Sequence, residues 1–146
     1  MKIKRIGLIA ASISCFLLSA AIPAMAAPKY KLQLIGIQCY ETEDLSGPDE
    51  PYLNVDGRRV WTAGSMNNGD VQDLRIVPPI TFITSTQIKL YDADIGSFFD
   101  RDDHLGTVTV NSSMAGVNGT GKDNIGYFRK DGAKYDLYYS VQQIEW

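Results

Sequence analysis

Two acidic turns hold the side chains of this sequence best suited to chemistry. One runs Glu41-Thr42-Glu43-Asp44-Leu45-Ser46-Gly47-Pro48-Asp49-Glu50-Pro51-Tyr52. The other runs from Tyr91-Asp92-Ala93-Asp94 through Gly96 and Ser97 to Asp100-Arg101-Asp102-Asp103-His104-Leu105-Gly106. Carboxylates at this density repel one another unless a positive charge sits among them, and the simplest cation suited to hard oxygen ligands is Ca²⁺. Asp92 and Asp94 stand two apart at the end of a strand-like run, so in extended backbone both side chains share a face and converge on one point. Asp100, Asp102 and Asp103 lie on the return path of the same loop, where they can close a cage, and Gly96 and Ser97 free the chain to wrap an ion.

Other chemistries fit less well. Zinc wants nitrogen and sulfur ligands at short spacing, and the chain has one histidine, His104, and two cysteines. Counting from Asp92, an EF-hand loop fails at its fifth and sixth positions, Gly96 and Ser97, and its twelfth is Asp103 rather than Glu. The stretch Gly116-Val117-Asn118-Gly119-Thr120-Gly121-Lys122 has the spacing of a phosphate-binding loop, but Asp123 stands where a Ser or Thr is needed and no helical pattern follows. Asp100 and Asp102 are an acid and base pair for sugar hydrolysis only in a cleft that a chain this small has little material to build. His104 has no nucleophile in a recognisable setting and reads as a solvent-facing loop residue. The expectation is a protein that is not an enzyme.

The elements that must position the acidic turns are strands. Alternating or β-rich runs occur at residues 30–39, 52–55, 58–61, 71–77, 80–83, 87–91, 105–110, 125–129 and 135–144. Asp56-Gly57 and Lys130-Asp131-Gly132 are tight-turn signals, and Pro78-Pro79 stops a ladder. Residues 111–124 read as a long polar connection. No stretch keeps helical period over ten residues, so the expected fold is an all-β antiparallel sandwich of seven to eight strands. Trp61, Trp146 and Tyr135-Asp136-Leu137-Tyr138-Tyr139 are expected to pack the core, with an exposed carbohydrate-binding aromatic strip as the alternative.

The first 26 residues read as a secretory signal. Lys2, Lys4 and Arg5 precede an apolar run, residues 6–21, that is short for a membrane span, and Ala24-Met25-Ala26 offers a cleavage site after Ala26. Cutting there leaves 120 of the 146 residues, one domain spanning 27–146, and takes three positive charges from a chain of net charge −3, leaving −6. Such a balance argues against nucleic acid as a partner and suits an exported, cation-binding domain in an extracellular or periplasmic setting. Only Cys39 remains after cleavage, so no internal disulfide can form, and Cys39 is expected in the core as a small hydrophobe.

Taken together, the two turns resemble the calcium loops of C2 domains. The stretch Asp44-Leu45-Ser46-Gly47-Pro48-Asp49-Glu50-Pro51-Tyr52-Leu53-Asn54-Val55 is similar to the family's first loop. Leu90-Tyr91-Asp92-Ala93-Asp94 with Asp103-His104-Leu105-Gly106 is similar to its third. The resemblance covers residues 32–110. It implies a C2-like β-sandwich with Ca²⁺ ligands at Asp44, Glu50, Asp92, Asp94 and Asp103. Asp49 is an alternative to Glu50, and Asp100 or Asp102 to Asp103. The lysine-rich strand that many members use for phosphoinositide headgroups has no counterpart, Arg58-Arg59 being only a pair on a hairpin. The resulting expectation is a secreted Ca²⁺-binding module that presents a surface to a membrane, a glycan or another extracellular protein. The alternatives are calcium in a purely structural role and, last, a small hydrolase.

Overall fold

Strand alternation decides which side chains turn inward, and here it builds two sheets that close over one core. The computed structural model describes residues 27–43, 47–93, 101–116 and 120–145. The expected leader, Asp44, Asp94, Asp100 and Trp146 lie outside the described residues. The strands are β1 (Lys29–Glu41), β2 (Pro51–Val55), β3 (Arg58–Thr62), β4 (Val71–Asp73), β5 (Ile80–Phe82), β6 (Ser85–Asp92), β7 (Asp103–Asn111), β8 (Lys122–Phe128) and β9 (Lys134–Glu145). One sheet has the order β4-β1-β9-β8, with β5 also paired to β1, and the other has the order β3-β2-β6-β7. All pairings are antiparallel.

The fold is a C2-like β-sandwich, with nine strands among the described residues rather than seven or eight. The run 71–77 is strand only as far as Asp73. Leu74 then turns into the core, its N–H bonding the Ile35 carbonyl at 3.0 Å, and the Val77 N–H closes back on the Leu74 carbonyl at 3.0 Å. The polar connection is shorter than the sequence suggests, because β7 extends to Asn111, a single 3₁₀ turn spans Ser112–Met114 and β8 begins at Lys122.

The core lies between the sheets. Leu32 and Leu34, then Ile37 and Cys39, face inward from β1, and a register shift between Leu34 and Gly36 absorbs the odd step in that spacing. Tyr135, Leu137, Tyr139 and Val141 stand beside them on β9 of the same sheet, and Leu53, Ile88, Leu90, Leu105 and Val110 face them from the opposite sheet. Cys39 is buried, as expected of a core residue. Asp56 and Gly57 both take positive φ, 47° and 81°, the pattern of a tight two-residue hairpin between β2 and β3.

Where β7 passes β8, large and small residues interlock. Gly106, at φ 143°, leaves room for Phe128, whose Cα would stand 3.3 Å from an added Cβ. Two residues on, the sizes reverse, and a Cβ at Gly126 would meet Val108 Cγ2 at 2.7 Å. We therefore expect Gly126→Ala to cost about 1–3 kcal/mol in urea unfolding, because valine has little rotameric freedom to yield. Val108→Ala in the same chain should recover much of that loss, so that the two changes are clearly non-additive. Simple additivity would show that this contact does not set the spacing.

Candidate functional site

The described ends of the two acidic turns meet at one end of the sandwich, because Pro51 of β2, Asp92 of β6 and Asp103 of β7 lie side by side there. Pro51 pairs with Asp92 across β2–β6, and Asp92 pairs with Asp103 across β6–β7. Glu50 precedes Pro51, and its N–H donates to Asp92 Oδ1 at 2.5 Å. The Ala93 N–H donates to the same oxygen at 3.0 Å and also faces the Glu50 carbonyl at 3.3 Å. Of the residues expected at a metal, the structure thus brings Glu50, Asp92 and Asp103 to one strand end.

Asp92 is the most deeply buried of the three. Only 3% of it is exposed. Burial pushes its carboxyl up to about 7, and the negative charges of Asp49 and Glu50 add to the rise. The two backbone N–H donors oppose it without cancelling it. A buried carboxylate among like charges is relieved either by a proton or by a cation.

Asp49 is fully buried and faces the other way. Both its oxygens accept from the Glu43 N–H, at 3.0 and 3.1 Å, and Oδ2 also accepts from the Tyr135 hydroxyl at 2.6 Å. Its backbone forms an isolated bridge to Met66, with bonds of 3.0 and 2.8 Å. These contacts make Asp49 the anchor of the first acidic turn. Tyr135 is in turn held as a neutral phenol by burial and by Asp49.

Asp102 is engaged differently. It accepts from the Tyr52 hydroxyl at 2.5 Å and pairs with the Arg59 guanidinium at 3.5 Å, while that guanidinium lies 3.4 Å from the Tyr52 ring centroid. Tyr52 stacks on Tyr91 at 5.2 Å, and Tyr91 meets the His104 ring at 5.0 Å. His104 is therefore a half-buried strand residue on β7, with Nε2 3.0 Å from Thr107 Oγ1, rather than a solvent-facing loop histidine. Sequence reading overlooked the Arg59–Tyr52–Asp102 cluster. The signal for it was the hairpin register, which pairs Asn54 with Arg59 and so puts Arg59 on the Tyr52 face.

The donor set at the strand end is all oxygen, which fits a hard cation and suits zinc or copper poorly. Among the described residues, no group of three or more His, Cys, Asp or Glu side chains is by itself arranged to hold a metal ion. Asp44, Asp94 and Asp100 belong to the same two turns and lie outside those residues.

No protein-family model matches the chain, and no curated protein sequence matches it. Solved structures do match. The tandem C2 domains of Extended-Synaptotagmin 2 align over 94% of this chain and 48% of theirs, at 13% identity and a TM-score of 0.56. The calcium-bound form of the same pair aligns over 83% of this chain and 47% of its own, at 14% identity and a TM-score of 0.53. A single C2 domain of plant Extended Synaptotagmin 1 aligns over 82% of this chain and 96% of its own, at 11% identity and a TM-score of 0.56. The chain thus spans about half of the two-domain structure and nearly all of the single domain. What these alignments share with the present chain is the C2 fold.

Asp92 gives the metal-free protein a specific pH dependence. From about pH 4 upward an unfolded aspartate has lost its proton, whereas the folded one keeps it up to about 7. The folded state is penalised increasingly as pH rises through that window, and fully above it. Asp92→Asn keeps an acceptor for both N–H donors and removes the charge. It should stabilise the metal-free protein at pH 8, on the order of a few kcal/mol, and leave it unchanged at pH 4, read by urea unfolding at each pH. An equal effect at both values would remove burial of charge as the cause.

Tyr135→Phe tests the anchor. It leaves a buried carboxylate without its hydroxyl donor and should cost about 1–3 kcal/mol of stability at neutral pH. A neutral outcome would mean that Asp49 is satisfied without Tyr135.

Proposed function

We propose that this chain is an exported, non-enzymatic Ca²⁺-binding module of C2-like fold. The observation that carries the reading is the burial of Asp92 beside Glu50, with Asp103 paired across from it at the end of β6. The calcium-bound state of one fold neighbour and the basic, then apolar, N-terminal 26 residues support the same reading.

Asp92, Glu50 and Asp103 are the described residues that would hold the ion, with Asp44, Asp94 and Asp100 of the same turns as further ligands. Bound Ca²⁺ supplies the positive charge that allows these carboxylates to stay ionised together. Glu50 and Ala93 fix one Asp92 oxygen through their N–H groups, which orients the carboxylate before any ion arrives. Asp49 stays with Tyr135 as the structural anchor, and Asp102 stays with Arg59. The ordered turns then offer a surface to a membrane, glycan or protein partner outside the cytoplasm.

Calorimetric titration tests this directly. We expect a dissociation constant of about 10⁻⁴ to 10⁻³ M for Ca²⁺, as in extracellular modules, and little response to Mg²⁺. Affinity should fall roughly tenfold per pH unit below about 7, because one proton competes at Asp92. Asp92→Asn and Asp103→Asn should each weaken binding strongly. Anionic vesicles sedimented with Ca²⁺ and again with chelator then separate a membrane partner from a purely structural ion. No heat and no stabilisation at millimolar Ca²⁺ would end the proposal.

A further inference from the structure

The five-stranded sheet turns a tyrosine-rich face to solvent. Alternation sends Tyr135, Leu137 and Tyr139 of β9 into the core, so that Asp136 and Tyr138 point outward between them. Tyr138 pairs with Ile125 of β8, and Asp136 pairs with Tyr127 of β8 on one side and Gln38 of β1 on the other. Tyr40, Ile125 and Tyr127 are 47%, 47% and 57% exposed. A hollow of about 250 Å³ lies beside Tyr138, bordered by Val71, Asp73 and Arg75 and floored by Gly36. Gly36 lines it without a side chain, and a Cβ there would stand 3.2 Å from the Gln72 carbonyl.

The polar groups on this face are held in place. The Tyr40 hydroxyl donates to Gln38 Oε1 at 3.0 Å, and the Tyr138 hydroxyl interacts with that of Tyr40. Asp73 Oδ1 accepts from the Arg75 N–H at 2.9 Å, and Oδ2 pairs with its guanidinium at 3.2 Å. Asp136 pairs with Arg129, whose guanidinium lies 5.1 Å from the Tyr127 ring centroid. The ion pairs bordering Tyr138 and Tyr127 thus cancel locally, and Asp123, opposite Ser140, is a further carboxylate on the same face of β8. A face that joins exposed aromatic rings, fixed hydrogen-bonding groups and no excess of positive charge is complementary to an uncharged polyhydroxylated ligand rather than to an anionic lipid or polyanion.

We propose that this face binds a neutral glycan. Tyr138 and Tyr127 pack against the C–H faces of successive sugars, one of which occupies the hollow over Gly36, while Gln38 and Asp73 take hydroxyl groups. The electron-rich ring faces and the weakly positive C–H groups are complementary, and the fixed side chains lose little entropy on binding. The site lies on the sheet that does not carry Asp92 and Asp103, so it does not rest on the calcium reading.

Affinity electrophoresis of the purified protein in native gels tests the proposal, with hydroxyethylcellulose, galactomannan or starch as neutral probes and alginate as the anionic one. The expected result is retardation by at least one neutral probe, unchanged by excess chelator. Tyr138→Ala and Tyr127→Ala should each weaken it about tenfold or more, whereas Tyr138→Phe should retain most of it. Tyr127 is exposed enough for its alanine variant to fold, which circular dichroism would verify. No retardation by any neutral probe, retardation by alginate alone, or retardation indifferent to both alanine variants would overturn the proposal. So would sedimentation showing a dimer that the same variants dissociate, which would make the face a contact between copies of the chain.

Discussion

The acidic end of this sandwich depends on one buried hydrogen bond, from the Tyr135 hydroxyl on β9 to the carboxylate of Asp49. Tyr135 is fixed by the core, and Asp49 is fixed by Tyr135, by the Glu43 N–H and by its bridge to Met66. Glu50 then follows Asp49 with no freedom to drift, and its N–H reaches Asp92 at the end of β6. A chain of contacts thus runs from the core of one sheet to the strand ends of the other. A buried carboxylate that loses one of its donors is left with part of its desolvation cost unmet, which is why so short a chain of bonds has so much structural consequence.

The same end of the molecule deals with its negative charge in two ways. Asp102 has a cation of its own in Arg59, stacked on Tyr52 and continued by the Tyr91 and His104 rings across the sheet. Asp92 has no such partner among the described residues, and its neighbours Asp49 and Glu50 make ionisation harder. The first arrangement is a closed surface cluster in which the protein neutralises itself. The second leaves a carboxyl whose charge, once formed above about pH 7, has no cation beside it among the described residues.

The two sheets differ correspondingly in what they offer. The sheet ending in Asp92 and Asp103 gathers carboxylates at that strand end. The other presents aromatic rings and locally cancelled ion pairs on its outer face, around a hollow lined by Gly36 and Tyr138. Both surfaces follow from the same alternation, since the inward residues of β9 are apolar enough to hold the core while Asp136 and Tyr138 are left outside.

Composition and period alone determined the all-β class, the hairpin at Asp56-Gly57, the inward set on β1 including Cys39 and the clustering of acidic residues at two turns. These are local properties, fixed by side-chain alternation and by which residues accept positive φ. The sequence also drew Glu50, Asp92 and Asp103 toward one place, because the ends of paired strands must meet. It did not distinguish them from Asp49 and Asp102, since all five are the same kind of group in the same kind of turn. That distinction arises only when Tyr135, more than eighty residues away, takes Asp49, and when the hairpin brings Arg59 over Tyr52 to take Asp102. Nor could it divide Tyr135, Tyr138 and Tyr139 between core and surface without knowing which face of β9 was covered. Alternation fixes that two of them oppose the third, and only packing of one sheet on the other decides which side meets water.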